Sequence, residues 1–195
     1  PTYTFNTDNY YLTGDLTIQT TVSADTADLI WTDSGTLQAN GATFNDLVVD
    51  SNGGAITVTV ETDNVTIDNQ LYVDTGDFLA IGDVNLTWTG SSFTLNGSIV
   101  SVIRDSGYLI IDSATVIPTG GVLDVQVRFD ATNGNTATMP ARSYGGNVEL
   151  YTNSGTDDRT IVLGAGEHTM AYNLTGVVED RNSLTIDGAT NNPTM

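Results

Sequence analysis

The chain has no cysteine, so no disulfide, thiolate nucleophile or cysteine-ligated metal site can form. It has no lysine either. All five basic residues are arginine, at Arg104, Arg128, Arg142, Arg159 and Arg181. That excludes Schiff-base chemistry and a lysine general base, along with internal Lys–Asn isopeptide crosslinks. His168 is the one histidine, and one His without Cys does not make the usual zinc site. A Ser–His–Asp arrangement would have to use it, yet no Gly-x-Ser-x-Gly elbow is present. It is read as a surface or pairing histidine in a strand position, with Glu167 on the opposite face. No stretch shows a 3.6-residue apolar period, and every apolar run is too short for a membrane span. The chain starts at Pro1 without Met or a signal peptide, and reads as a mature, processed protein or a fragment.

Positive charge is scarce. Five basic residues face 24 acidic ones, a net charge of −19. Affinity for nucleic-acid phosphates comes mainly from Lys and Arg, so nucleic acid is a poor partner, and anionic membrane surfaces are disfavoured alike. A divalent cation or a basic partner fits better. The acids are 20 Asp against 4 Glu. An acidic surface as such would accept Glu equally, whereas Asp forms turns through its own backbone contacts. Most of the Asp residues are therefore read as turn formers.

Short strands with period-2 alternation run from end to end. They are expected at 55–60, 65–67, 71–73, 79–81, 84–88, 93–95, 108–111, 122–129, 161–163 and 184–186. Turn signals separate them, among them Asp50-Ser51-Asn52-Gly53-Gly54, Asp74-Thr75-Gly76, Asp105-Ser106-Gly107 and Gly145-Gly146. The chain is thus all-β. An irregular rhythm of stacked strands with variable loops fits a β-solenoid of the parallel β-helix type; a β-sandwich or jelly roll is the alternative. Residues 1–15 are read as an extended N-terminal segment, a capping strand or one donated to a neighbouring subunit, and 16–195 as a single all-β domain.

Gly35-Thr36-Leu37-Gln38-Ala39-Asn40-Gly41-Ala42-Thr43-Phe44-Asn45-Asp46-Leu47-Val48-Val49 resembles the recurring segment of large secreted β-solenoid-type repeat proteins of prokaryotic surfaces. Leu12-Thr13-Gly14-Asp15-Leu16-Thr17-Ile18, Asn173-Leu174-Thr175 and the stretch from Leu184 to Thr194 share the style. The resemblance implies an extracellular adhesin, sheath or filament component and carries over no catalytic residues.

Candidate sites follow from residue type. Calcium takes several oxygen ligands, and Asp74, Asp77 and nearby Asp83 form the most attractive cluster, set against solvated turns. Four Asn-x-Ser/Thr sequons stand at Asn64, Asn85, Asn96 and Asn173, within a chain of 32 Thr and 17 Asn. Asp157-Asp158 is the one adjacent pair of aspartates, in a polar loop before Arg159. Glycoside hydrolysis needs two carboxylates across a groove, and so many Asp make that pattern uninformative. Thr-x-Thr units at 57/59, 87/89 and 136/138 do not recur at a fixed period, which argues against an ice-binding ladder.

The expected function is structural and not enzymatic: an extracellular protein that assembles with copies of itself into a filament, sheath or surface layer by strand pairing, anchored by Tyr3, Phe5, Tyr10 and Leu12. An adhesin or carbohydrate-binding module, recognising surface glycans, is the alternative. It would expose Trp31 or Trp88 as an aromatic platform, although their apolar neighbours favour burial. A polysaccharide-active enzyme would show a groove with converging carboxylates and Arg.

Overall fold

The computed structural model describes residues 9–19, 23–104, 106–130, 136–152, 160–164, 166–178 and 183–186. Tyr3, Phe5, Asp157 and Asp158 lie outside them. Among the described residues there is no helix, hence none long and apolar enough to cross a membrane. The fold is a β-solenoid of about six coils. Every registered strand pairing is parallel.

Each full coil crosses three faces. The first face stacks Asn9–Leu12 on residues 28–31, 46–49, 70–73 and 92–95. The second stacks Leu16–Thr17, Gly35–Gln38, Thr57–Val60, Phe78–Ile81, Ser98–Ser101 and Val122–Asp124. The third runs from residues 43–44 through 65–67 to Asn85–Trp88, Tyr108–Ile111, Val127–Asp130, Val148–Thr152 and Leu174–Val178. Strands Ser23–Trp31 and Thr43–Val49 serve two faces, and their registers shift where the chain turns the corner. Toward the C-terminus, Thr136–Met139, Thr160–Leu163 and Ser183–Ile186 form a three-stranded sheet, while Ser143–Tyr144 pairs with Thr169–Met170.

Alternation sends one side chain in and the next out, so residues in register form columns. Phe44, Ile67, Trp88, Ile111, Phe129 and Leu150 make one buried column on the third face. Val58, Leu79, Ile99 and Leu123 make another on the second. Outside the first of these, Thr43, Thr66 and Thr87 are in register, but Ile110, Arg128 and Glu149 continue their row. The threonine ladder therefore ends after three coils.

The register explains the irregular rhythm. Partners lie from 18 residues apart, as for Ile111 and Phe129, to 26, as for Leu150 and Gly176. Loops absorb the difference while the core keeps step. The expected strand at 122–129 is two strands, Val122–Asp124 and Val127–Asp130. Leu123, Val125, Val127 and Phe129 are all buried, so the apolar alternation of the sequence runs straight through the corner, where Gln126 is buried as well. Periodicity alone carries no mark of such a corner.

Polar corner residues tie coil to coil. Asp15 accepts the Thr36 N–H at 2.9 Å. Asp46 accepts the Gln70 N–H at 2.9 Å and the Asn69 amide at 2.8 Å. Asn64 accepts the Asn85 N–H at 2.8 Å, and Asn147 the Asn173 N–H at 3.2 Å. These side chains satisfy backbone donors where the sheet ladder lapses. Their Asp and Asn content is thus more than local turn formation: it is a set of links between coils.

Candidate functional site

Two surfaces stand out, the first of them at the start of the solenoid. Strand Asn9–Leu12 pairs with residues 28–31, and Tyr10 and Leu12 pack against the chain's own core. They belong to the first coil and face inward. Asn9 and Tyr11 are the exposed members, Tyr11 with 68% of its surface accessible; Tyr11 was not among the anchor residues expected from sequence. Leu12 gives its carbonyl to the Thr32 N–H at 3.0 Å. Successive residues of a parallel strand address opposite neighbours, so the N–H and C=O of Tyr11 face away from the second coil. Among the described residues no further strand pairs with that side.

The second surface is a groove on the outside of the second face, in the C-terminal half. Its floor is built by alternation: Leu123 and Tyr144 are buried beneath it, so Val122, Asp124 and Ser143 face outward, with Thr169 in register with Ser143 on the next coil. Beside it, after strand Ser98–Ser101, a turn is held by Ser106, whose N–H and hydroxyl both donate to the Ile103 carbonyl, at 3.2 and 2.8 Å. That turn carries Arg104, whose guanidinium lies 4.9 Å from the ring centroid of Tyr172. The groove is open to solvent along its length, with a volume of about 500 Å³. A narrower recess of about 60 Å³ continues from it toward Ser101 and Gln126.

Glycine lets neighbouring coils close up beside the groove. A Cβ on Gly145 would lie 2.5 Å from the Asp124 carboxylate, and one on Gly146 would lie 2.4 Å from the Val125 carbonyl. Below, Arg142 is buried and donates to the carbonyls of Pro118 at 2.6 Å and Gly121 at 3.1 Å, fixing the rim of the groove. Burial pushes the Arg142 guanidinium below its ordinary pKa and raises that of the Tyr144 phenol, which donates to the Pro140 carbonyl at 2.9 Å. Nothing in the sequence marks Arg142 as the buried one among the three described arginines.

The remaining candidates are placed as follows. Asp77 is fully buried and accepts the Ser51 N–H at 2.9 Å and the Ile56 N–H at 3.1 Å. Asp74 accepts the Tyr72 hydroxyl at 3.0 Å, and Asp83 is exposed. Among the described residues no three Asp, Glu or His side chains converge on a common point as a cation site. Asn64, Asn96 and Asn173 are exposed and Asn85 is half-buried. Trp31 and Trp88 are fully buried, and their indoles donate to the carbonyls of Gly14 at 3.1 Å and Asn69 at 3.2 Å. Neither is a platform for a ligand.

His168 corrects the sequence reading. It is buried rather than on the surface, and it precedes the short strand Thr169–Met170 instead of lying within it. Its Nε2 is 2.7 Å from the Gly164 carbonyl, while Nδ1 has no hydrogen-bond partner among the described residues.

Compared with known proteins, the chain matches no family model, no curated protein and no solved structure.

Proposed function

We propose that this chain is an extracellular structural protein that joins copies of itself head to tail, extending one parallel ladder from subunit to subunit into a filament, sheath or layer. The observation that carries the reading is the outward-facing peptide group of Tyr11 on the first described strand of a ladder in which every inner described strand is paired on both sides. Parallel stacking gives the two ends of a solenoid complementary edges, and a head-to-tail contact that does not close on itself makes fibres. An exposed strand edge is also the usual template for β-augmentation. The use of the acidic residues supports a scaffold over a catalyst: Asp15, Asp46 and Asp77 are engaged by backbone N–H groups. The likeness to surface repeat proteins supports the extracellular assignment.

The test is electron microscopy and sedimentation of the purified chain and of Tyr11→Pro. Proline at an edge position whose N–H faces outward removes the donor without costing a bond to the second coil. Filaments from the parent chain and folded monomers from Tyr11→Pro are expected. Replacing Tyr3 and Phe5 with Asp should have the same effect. A parent chain that stays monomeric at high concentration, or a Tyr11→Pro variant that still polymerises, overturns the reading.

A further inference from the structure

From the groove beside Arg104 and Tyr172 we infer a binding site for a neutral glycan, independent of the end-to-end contact. Three features carry this. First, the groove is concave and of a volume, about 500 Å³, within the range of roughly 300–1,000 Å³ typical of small-ligand sites. Second, it pairs an apolar surface with a few convergent polar groups: Val122 and the Tyr172 ring on one hand, Arg104, Asp124, Ser143 and Thr169 on the other. Third, Tyr172 is 41% exposed although a guanidinium already lies against its ring. The arginine orients the ring, and the ring surface it leaves exposed is offered to a ligand. An aromatic face takes the axial C–H groups of a pyranose, with large contact area and little loss of side-chain freedom.

The charge pattern selects the class of sugar. The groove holds one guanidinium and one carboxylate. A hydroxyl both donates and accepts, so vicinal hydroxyls can give a proton to Asp124 and take one from Arg104. A uronic acid would satisfy Arg104 but set its own carboxylate against Asp124. It would also approach a chain of net charge −19, whose field repels anions. A neutral hexopyranose chain meets neither obstacle, and the solenoid's open flank lets it extend beyond the groove.

The test is saturation-transfer NMR on the full chain with cellotetraose, mannotetraose and chitotetraose as neutral probes and tetragalacturonate as the acidic one. Tyr172→Ala, Arg104→Gln and Tyr108→Ala are run in parallel, the last an aromatic on the third face, away from the groove. All three changes are at partly or fully exposed positions, and circular dichroism checks that the fold persists. Binding of at least one neutral probe is expected, weakened about tenfold or more by Tyr172→Ala and by Arg104→Gln, as for a residue that anchors a contact, and unchanged by Tyr108→Ala. Absence of binding by all neutral probes, preference for tetragalacturonate, or binding that survives Tyr172→Ala overturns the site. Monomers that bind glycan would uphold this inference while refuting the polymer; filaments blind to all probes would do the reverse.

Discussion

The Asp77 carboxylate accepts the N–H of Ile56 at 3.1 Å, 21 residues back along the chain. Its other oxygen accepts the Ser51 N–H at 2.9 Å. One fully buried side chain thus closes both ends of the loop between Thr43–Val49 and Thr57–Val60. Asp77→Ala removes both acceptors and leaves two backbone donors without them, which should cost about 3–5 kcal/mol. Asp77→Asn keeps one acceptor and should cost about half as much. Urea unfolding midpoints check the order, and equal midpoints for all three proteins would refute the role.

Glycines in this fold divide by what surrounds them. A Cβ on Gly90 would lie 1.9 Å from the Asn69 carbonyl oxygen, whereas one on Gly76 would meet nothing within 4 Å. Gly76 has a φ of 88°, so alanine there pays only for a left-handed backbone. Gly90→Ala should cost about 3 kcal/mol through forced separation of coils, and Gly76→Ala about 1 kcal/mol. Thermal unfolding of the two variants side by side tests the contrast.

Tyr144 sets an alkaline limit. Burial raises its folded pKa above the ordinary value of 10.0, so the unfolded chain gives up this proton first. Its contribution is fully present below about pH 10 and falls as pH rises above that. Stability should therefore decline from pH 9.5 upward in the parent chain, and the decline should be shallower in Tyr144→Phe. Guanidinium melts at about pH 8 and about pH 10.5 measure the difference; identical slopes for the two proteins would exclude this cause.

Arg128 occupies the outside of the third face between two rings, 4.8 Å from the Tyr108 centroid and 4.9 Å from that of Tyr151, and it pairs with Glu149. Both charged side chains remain partly exposed, at 26% and 19%, so solvent screens the ion pair. Glu149→Gln should cost under about 1 kcal/mol, and 1 M salt should erase that cost. Arg128→Ala also loses the ring contacts and should cost about 1–2 kcal/mol, largely insensitive to salt. A double-mutant cycle across two salt concentrations separates the two.

The stacked fold was legible from the alternation at 65–67, 84–88 and 108–111, because each coil must hide the same side of its strands. The exposed edge of the first described strand was legible only in outline. Tyr10 and Leu12 read as sticky from their apolar character, but alternation turns them inward and presents Tyr11. The groove was not legible at all. Arg104, Asp124, Ser143 and Tyr172 sit on separate coils whose offsets range up to 26 residues, so no fixed spacing announces that they meet. Asp77 was noticed for its chemistry as a ligand, yet burial and two backbone donors give it a different task. His168 and Arg142 were misplaced or unmarked because burial of a lone polar residue depends on which coil lies over it.

The same stacking makes the molecule a mechanical element. Strands run across the long axis and coils are joined along it by ladder bonds about 4.8 Å apart. A pull between the first coil at Leu12 and the last described coil at Leu174 loads those bonds one coil at a time, as a zipper rather than as a shear joint. Each coil that opens releases 18 to 26 residues, on the order of 60–90 Å of slack. A tether built of such units would yield in steps, lengthening many-fold before its neighbours lose their own folds.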